Sequence, residues 1–311
     1  MSTTAPLTAA DAATANSAAA AANPGQGPRG RANEKAGEKA RRSPWRSPAT
    51  ILALVILAIA FLWALVPGVF ATHDPYKGTD VALLSPSSEH LFGTDSVGRD
   101  LYSRVVYGAR QSLLGALIAV AVGLVLGTLI GLVAGTQRGW LDTVLMRLVD
   151  VLLAIPGILL SLSIIIVTGF GSLQAAFAVG MTSVATFARL ARSQVIQVAG
   201  ADFVEAAYGS GASNAQVLFR HVLPNVTEPI LVIATINLAL AIITEATLSF
   251  LGSGMPDTMP SLGTLIRIGN NYLFAGEWWI VAFPGIALAG LILSINLLGD
   301  WLRDALNPKL R

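Results

Sequence analysis

The sequence predicts an all-α integral membrane protein: six transmembrane helices, a helix–turn–helix outside the membrane, and a disordered N-terminal tail. Three observations lead there. Of 311 residues, 54% are hydrophobic and only 12% charged, whereas a soluble domain carries about 25% charged residues. Six apolar runs follow the tail, at roughly 49–70, 111–135, 144–167, 172–191, 229–251 and 280–301. Each approaches the about 20 residues that a helix needs to cross about 30 Å of hydrocarbon. Between the fourth and fifth runs lies a long polar stretch, 202–225, with a glycine break at its centre. No alternating ten-residue pattern recurs, so a β-barrel is not expected.

Residues 1–48 form the first region, a basic tail. Ala, Thr, Asn, Gly and Pro dominate, followed by Arg29, Arg31, Lys35, Lys39, Arg41, Arg42 and Arg46. Large apolar residues are scarce, so this segment cannot bury a core and is expected to be disordered. Its cations suit anionic lipid headgroups, at about 1 kcal/mol each. The following apolar run is too long, and lacks the small-residue cleavage site, for a secretory signal. There is no Cys, which excludes disulfides, a thiolate metal site and a Cys nucleophile. A net charge of +2 gives no reason to expect nucleic acid.

Residues 49–110 form the second region, the first span and an outer segment. Leu101, Val105, Val106 and Leu113 recur at helical spacing, which predicts an amphipathic helix lying at the interface before the second span. The third region, 111–311, holds five spans. The fourth run is rich in Ala, Ser and Thr, a composition suited to a helix surrounded by others or lining a pathway. Residues 252–277 are rich in Gly, Pro, Ser and Asn and read as a loop. Trp278 and Trp279 after it would anchor the sixth span at the interface.

Lys and Arg set the orientation. With the N-terminus inside, the inner segments carry the seven tail cations, Arg138 and Arg147, Arg189, Arg192 and Arg220, and Arg303, Lys309 and Arg311. The outer segments carry Lys77, Arg99, Arg104, Arg110 and Arg267. This bias places both termini and the 202–225 stretch in the cytoplasm.

That stretch begins with the helix formers Glu205, Ala206 and Ala207 and breaks at Gly209-Ser210-Gly211. A short amphipathic run with Val217, Leu218 and Val222 follows, and Pro224 is expected to end it. Elsewhere, Gly115, Ala119, Gly123, Gly127, Gly131 and Gly135 repeat every four residues along the second span. Such a smooth face lets two helix backbones approach closely, either within this chain or against a partner. Two acids lie at or inside apolar runs, Asp150 and Glu245. A charge at mid-bilayer costs about 2.5–3.5 kcal/mol. Glu245 reads as a polar wall of a pathway, and Asp150 as a structural contact near the inner surface. His73, His90 and His221 are scattered outside the apolar runs, so no metal site is expected. No G-x-x-x-x-G-K-[ST], H-E-x-x-H or G-x-S-x-G motif is present, so the chain does not read as an enzyme.

Residues 202–224 resemble the EAA loop of ABC importer permeases, written E-A-A-x3-G-x9-I-x-L-P. Glu205, Ala206, Ala207, Gly211, Leu223 and Pro224 match at that spacing, with His221 at the Ile position. The wording F-R-H-x-L-P-N over 219–225 is similar to the peptide and nickel branch. So are FGTDSVGRDLYSRVVYGARQSL (92–113), TEATLSFLGSG (244–254) and NLLGDWLRDALNPKLR (296–311). The likeness is greatest to the second permease of dipeptide and oligopeptide importers. Tyr208-Gly209-Ser210 departs from the Arg-Ala-Leu common there.

The resemblance implies a permease subunit in the plasma (inner) membrane. It implies a second homologous permease, two ATP-binding subunits or one fused one, and an extracytoplasmic solute-binding protein. Glu205 and its neighbours would form an EAA-type coupling helix that docks on the ATP-binding subunit, with Gly211 setting the angle between the two short helices. ATP and Mg would be bound by those partners, leaving no cofactor in this chain. Permeases of this branch serve dipeptides, oligopeptides, nickel complexes, glutathione and some sugars. Two readings compete: a stand-alone proton-coupled carrier using Asp150 and Glu245, and a membrane scaffold or receptor. The carrier would be expected to show inverted repeats, and none is found.

Overall fold

A computed structural model describes residues 48–137 and 139–306. Among these the chain is helical apart from its loops and two isolated β-bridges. It divides into two units, Met1–Ile51 and Leu52–Arg311. The first, with the tail expected over 1–48, falls almost wholly outside the described residues.

The helices in order are α1 (Pro48–Leu65), α2 (Pro67–Phe70), α3 (Leu101–Gln137), α4 (Trp140–Ala154), α5 (Gly157–Thr168), α6 (Ser172–Ala199), α7 (Asp202–Gly209), α8 (Asn214–Val217), α9 (Leu223–Phe250), α10 (Leu262–Asn270) and α11 (Trp279–Leu306). Among the described residues, four stretches are long and apolar enough to cross a membrane: Leu101–Gln137, Ser172–Ala199, Asn214–Phe250 and Trp279–Asp304. Counting the bent pair α4–α5 as one span gives five. The apolar part of α1, Leu54–Leu65, is shorter. The multi-pass helical architecture is thus observed, with four to five spans identified by length and composition among the described residues.

The third apolar run is not one straight helix. It breaks at Ile155-Pro156, and α4 and α5 meet at 96°. Pro156 has no N–H to give and disfavours helical backbone at Ile155, which lies at ψ 128°. The expected interfacial helix is also different. Residues 101–110 are the first turns of α3 itself, with Leu101, Val105 and Val106 fully buried.

The core centres on α3 against α6. α6 also meets α4, α5 and α9, which explains the small residues of the fourth run. Of all the spans it is the most enclosed, burying Phe187, Ala188, Ala191 and Val195 completely. Small side chains are what a helix needs when neighbours approach from several sides.

The four-residue stripe of α3 faces α6. A Cβ at Gly127 would lie 2.5 Å from the Val184 carbonyl oxygen, and one at Gly131 would lie 2.4 Å from that of Ala188. Gly123 and Gly135 similarly abut Ser183 and Val195. Gly115, nearer the start of α3, instead faces the Glu245 side chain at 3.9 Å. These contacts are internal to the chain.

The loop expected over 252–277 contains α10. Ser261 caps it by accepting from the Thr264 N–H at 3.2 Å, and Leu262 and Leu265 are buried. The glycines that suggest a loop are close-approach points. Gly263 lies against the Ala246 backbone in α9, and Gly269 against Ile280 in α11. Trp279 is buried within the protein, with its ring against Gly93, while Trp278 is 54% exposed.

Candidate functional site

At one end of the bundle the chain leaves α6, forms an arm, and re-enters as α9. The arm starts as α7, with Asp202 and Glu205 in its first turn, where acids suit the positive end of the helix dipole. Gly211 turns the chain at φ +87°, a left-handed conformation that costs an L-residue about 1–2 kcal/mol. Ser213 then caps α8 by accepting from the Gln216 N–H at 3.3 Å.

Pro224 does not end this second helix. A π-helical turn, Leu218–Val222, carries α8 into α9, and the Leu223 N–H bonds the Leu218 oxygen five residues back. Pro224 sits at the second position of α9, directly after that turn, and the helix runs on through it. The result is one continuous helical stretch, Asn214–Phe250.

Val204, Val217 and Val222 are buried and fasten the arm to the bundle. Glu205, Ala206, Gly211 and Pro224 are exposed, whereas Ala207 and Leu223 are half-buried. Phe203, Tyr208 and Phe219 are exposed beside them, at 48%, 47% and 67%. A cavity of about 490 Å³ lies between the arm and the end of α3, lined in part by Gly135, Gln137, Val204, Tyr208 and Val217. The arm thus offers a carboxylate on a short, anchored helix that also exposes Phe203 and Tyr208. The EAA pattern alone does not point to these rings; their clustering on one short segment is the signal that could find them.

Asp150 lies on α4 and pairs with Arg189 of α6 at 2.7 Å, an exposed contact. Asp142 holds Arg192 through two bonds of 2.5 and 2.7 Å. Both pairs tie α4 to α6. Glu245 is 2% exposed within α9. One carboxylate oxygen accepts from Ser249 Oγ at 2.8 Å.

The opposite end of the bundle, where α3 begins, carries a polar network that the sequence pattern does not disclose. Arg104 is fully buried. Its guanidinium donates to the Pro75 carbonyl at 3.0 Å and the Asp257 carbonyl at 3.3 Å, and its Nε lies 3.4 Å from Asp95. Asp95 also accepts from the Arg99 side chain at 2.8 Å and from the N–H groups of Val97 and Arg99.

Asp100 caps α3 by accepting from the Ser103 N–H at 2.8 Å. Burial alone would raise its pKa. The Ser103 hydroxyl and N–H, His90 and His73 outweigh that and hold the carboxyl below its ordinary value. His73 and His90 lie beside it, with ring centroids 4.7 Å apart. Two of the three histidines that look scattered in the chain are therefore brought together.

Residues 127–311 match the family described as "Binding-protein-dependent transport system inner membrane component". The dipeptide transport system permease protein DppC of Alkalihalophilus pseudofirmus is 35% identical, over 86% of this chain and 91% of that protein. The glutathione transport system permease protein GsiD of Pectobacterium atrosepticum is 38% identical, over 87% and 93%. A probable D,D-dipeptide transport system permease protein DdpC of Escherichia coli is 37% identical, over 85% and 88%. In fold, the chain is similar to one from the MetNI methionine ABC transporter in an inward-facing conformation, with TM-score 0.55 and 21% identity over 65% of this chain and 96% of that one. The helical bundle with its anchored arm, and a likeness that covers most of the chain, have one conclusion: this chain belongs to the binding-protein-dependent transport system inner membrane components.

Proposed function

We propose that this chain is the membrane-spanning permease subunit of an ATP-driven ABC importer for dipeptides, oligopeptides or a related small solute such as glutathione. The observation that carries this reading is similarity along most of the chain to permeases named for dipeptide, D,D-dipeptide and glutathione transport. The chain supplies the path and not the power. In this reading a second homologous permease, two ATP-binding subunits or one fused one, and an extracytoplasmic binding protein complete the assembly. ATP and Mg are held by those partners.

Six spans follow if α1, 18 residues long, crosses as the first and the bent α4–α5 pair as the third. At about 1.5 Å per residue α1 reaches about 27 Å, close to the hydrocarbon thickness. The Lys and Arg distribution then puts both termini and the arm in the cytoplasm of a cell bounded by this inner membrane. Residues 71–100 and 252–277 face the binding protein. The arm is the coupling element. Glu205 presents its charge to the ATP-binding subunit, Ala206 and Ala207 keep the contact low, Gly211 sets the bend, and Leu223 and Pro224 lead into α9. Glu245, buried against Gly115 of α3 and bonded to Ser249, acts in packing within this chain rather than as the pathway wall its sequence position suggests.

Uptake of labelled dipeptide and glutathione, in cells whose chromosomal copy is deleted and then complemented, tests the reading. Restored accumulation that stops when ATP is depleted is expected, with an ATP-binding chain co-purifying. Accumulation driven by a proton gradient in vesicles holding this chain alone would overturn it.

A further inference from the structure

We propose that His73, His90 and Asp100 form a binding site for a divalent transition-metal ion of the zinc class, at the end of the bundle where α3 begins. One nitrogen from each imidazole and one carboxylate oxygen lie within 4.8 Å of one another. Zinc bonds to N and O ligands are about 2.0–2.1 Å and tetrahedral, which sets ligands about 3.3 Å apart. A shift of about 1–1.5 Å closes the set around an ion, and a turn of the His73 ring supplies it. His73 is the exposed member at 38%, whereas His90 and Asp100 are held in the interior at 4% and 1%.

The carboxylate is already oriented. Its Oδ2 accepts from the Ser103 N–H at 2.8 Å and from the Thr72 hydroxyl at 3.3 Å. Its Oδ1 is left facing both rings, 2.9 Å from His90 Nδ1 and 3.7 Å from His73 Nδ1. Ligating carboxylates held by outer hydrogen bonds in this way are typical of metal sites. The 3.7 Å separation is too long for a hydrogen bond but suits two ligands of one ion. His73 Nδ1 meanwhile lies 3.1 Å from the hydroxyl of its neighbour Thr72, an exposed contact that a turn of the ring exchanges for the ion.

Donor chemistry selects the ion. Two imidazoles and a carboxylate favour Zn²⁺, Co²⁺ or Ni²⁺ over Mg²⁺ and Ca²⁺, which prefer all-oxygen shells. Three protein ligands with His73 at the surface leave a fourth position for water or an incoming group. Ligation through His90 Nδ1 requires the neutral ring to carry its proton on Nε2. The bound ion ties residues 72–73 to the segment that caps α3. The site is independent of the transport reading, since neither the arm nor any solute enters it.

The test uses the full-length chain, purified with a tag that contains no histidine, and Co²⁺ as a spectroscopic probe. Wild type should take up one Co²⁺ per chain, with the visible bands of a four-coordinate ion, and release it to Zn²⁺. His73→Ala and His90→Ala should each weaken binding at least 100-fold, and His221→Ala should not change it. His73 is partly at the surface, so its variant keeps the fold, and an unchanged Tm in chelator verifies that. Failure of wild type to bind Co²⁺, or equal binding by His73→Ala, overturns the proposal.

Discussion

Arg104 donates to the main-chain oxygen of Asp257 although 153 positions separate them. With its bond to Pro75 and its contact with Asp95, this one buried cation joins the segment before α3, the start of α3 and the loop before α10. Removing one partner of a buried ion pair costs about 3–5 kcal/mol. Arg99 keeps a second contact to Asp95, so the low end applies. Arg104→Met should lower the Tm of the solubilised protein by several degrees and speed proteolysis within 71–100 and 252–260. An unchanged Tm and cleavage pattern would show that the three segments are held by other contacts.

The glycine stripe should tolerate substitution in a graded way. Gly115→Ala places a methyl at ordinary contact distance from Glu245, whereas Gly131→Ala drives it to 2.4 Å from the Ala188 oxygen in α6. Forcing extra volume into a packed interface costs about 1–3 kcal/mol. Gly115→Ala should leave the Tm within a degree or two, and Gly131→Ala should lower it clearly. Equal Tm values for the two would mean that α3 and α6 are not in this close contact in the membrane.

Two ion pairs hold α4 against α6. Arg192 is one-third exposed and Asp142 less so, so solvent screens the pair and its worth is about 1 kcal/mol. Asp142→Ala and Arg192→Ala should each destabilise slightly and by similar amounts. The exchange of Asp142→Arg with Arg192→Asp should recover part of the loss. A double-mutant cycle with no coupling energy would dissociate the pair from stability.

The arm offers a test that separates folding from coupling. Glu205 is exposed, and a Cβ on Gly211 meets nothing within 4 Å. Glu205→Lys should therefore insert and fold normally yet reduce uptake at least tenfold. Gly211→Trp should do the same, with strain of about 1–2 kcal/mol confined to the turn. Wild-type uptake by both proteins would remove the arm from the transport cycle.

The long apolar helices Leu101–Gln137, Ser172–Ala199, Asn214–Phe250 and Trp279–Asp304 were legible because apolar runs of that length have few other uses than crossing lipid. The arm was legible because Gly211 marks a turn that few other residues make. Local signals misled where tertiary contacts decide. Pro224 suggests a stop, but the helix runs on through it after the π turn. Gly263 and Gly269 suggest a loop, but they mark where α10 presses on α9 and α11. Pro156 lies inside an apolar run whose composition conceals the 96° bend. Arg104 and the His73–His90–Asp100 cluster were invisible because their partners come from distant stretches, and no spacing rule connects them.

The unbroken passage from Asn214 to Phe250 has a mechanical corollary. At about 1.5 Å per residue it is a shaft about 55 Å long, with the arm at one tip and the Glu245–Ser249 pair close to the other. Rotating such a shaft by about 10° sweeps its far tip through about 10 Å relative to a fixed near tip. The π turn at Leu218–Val222 and Pro229 inside α9 are the points along it where a helix bends, so a tilt applied at the arm reaches the far tip only through those two points.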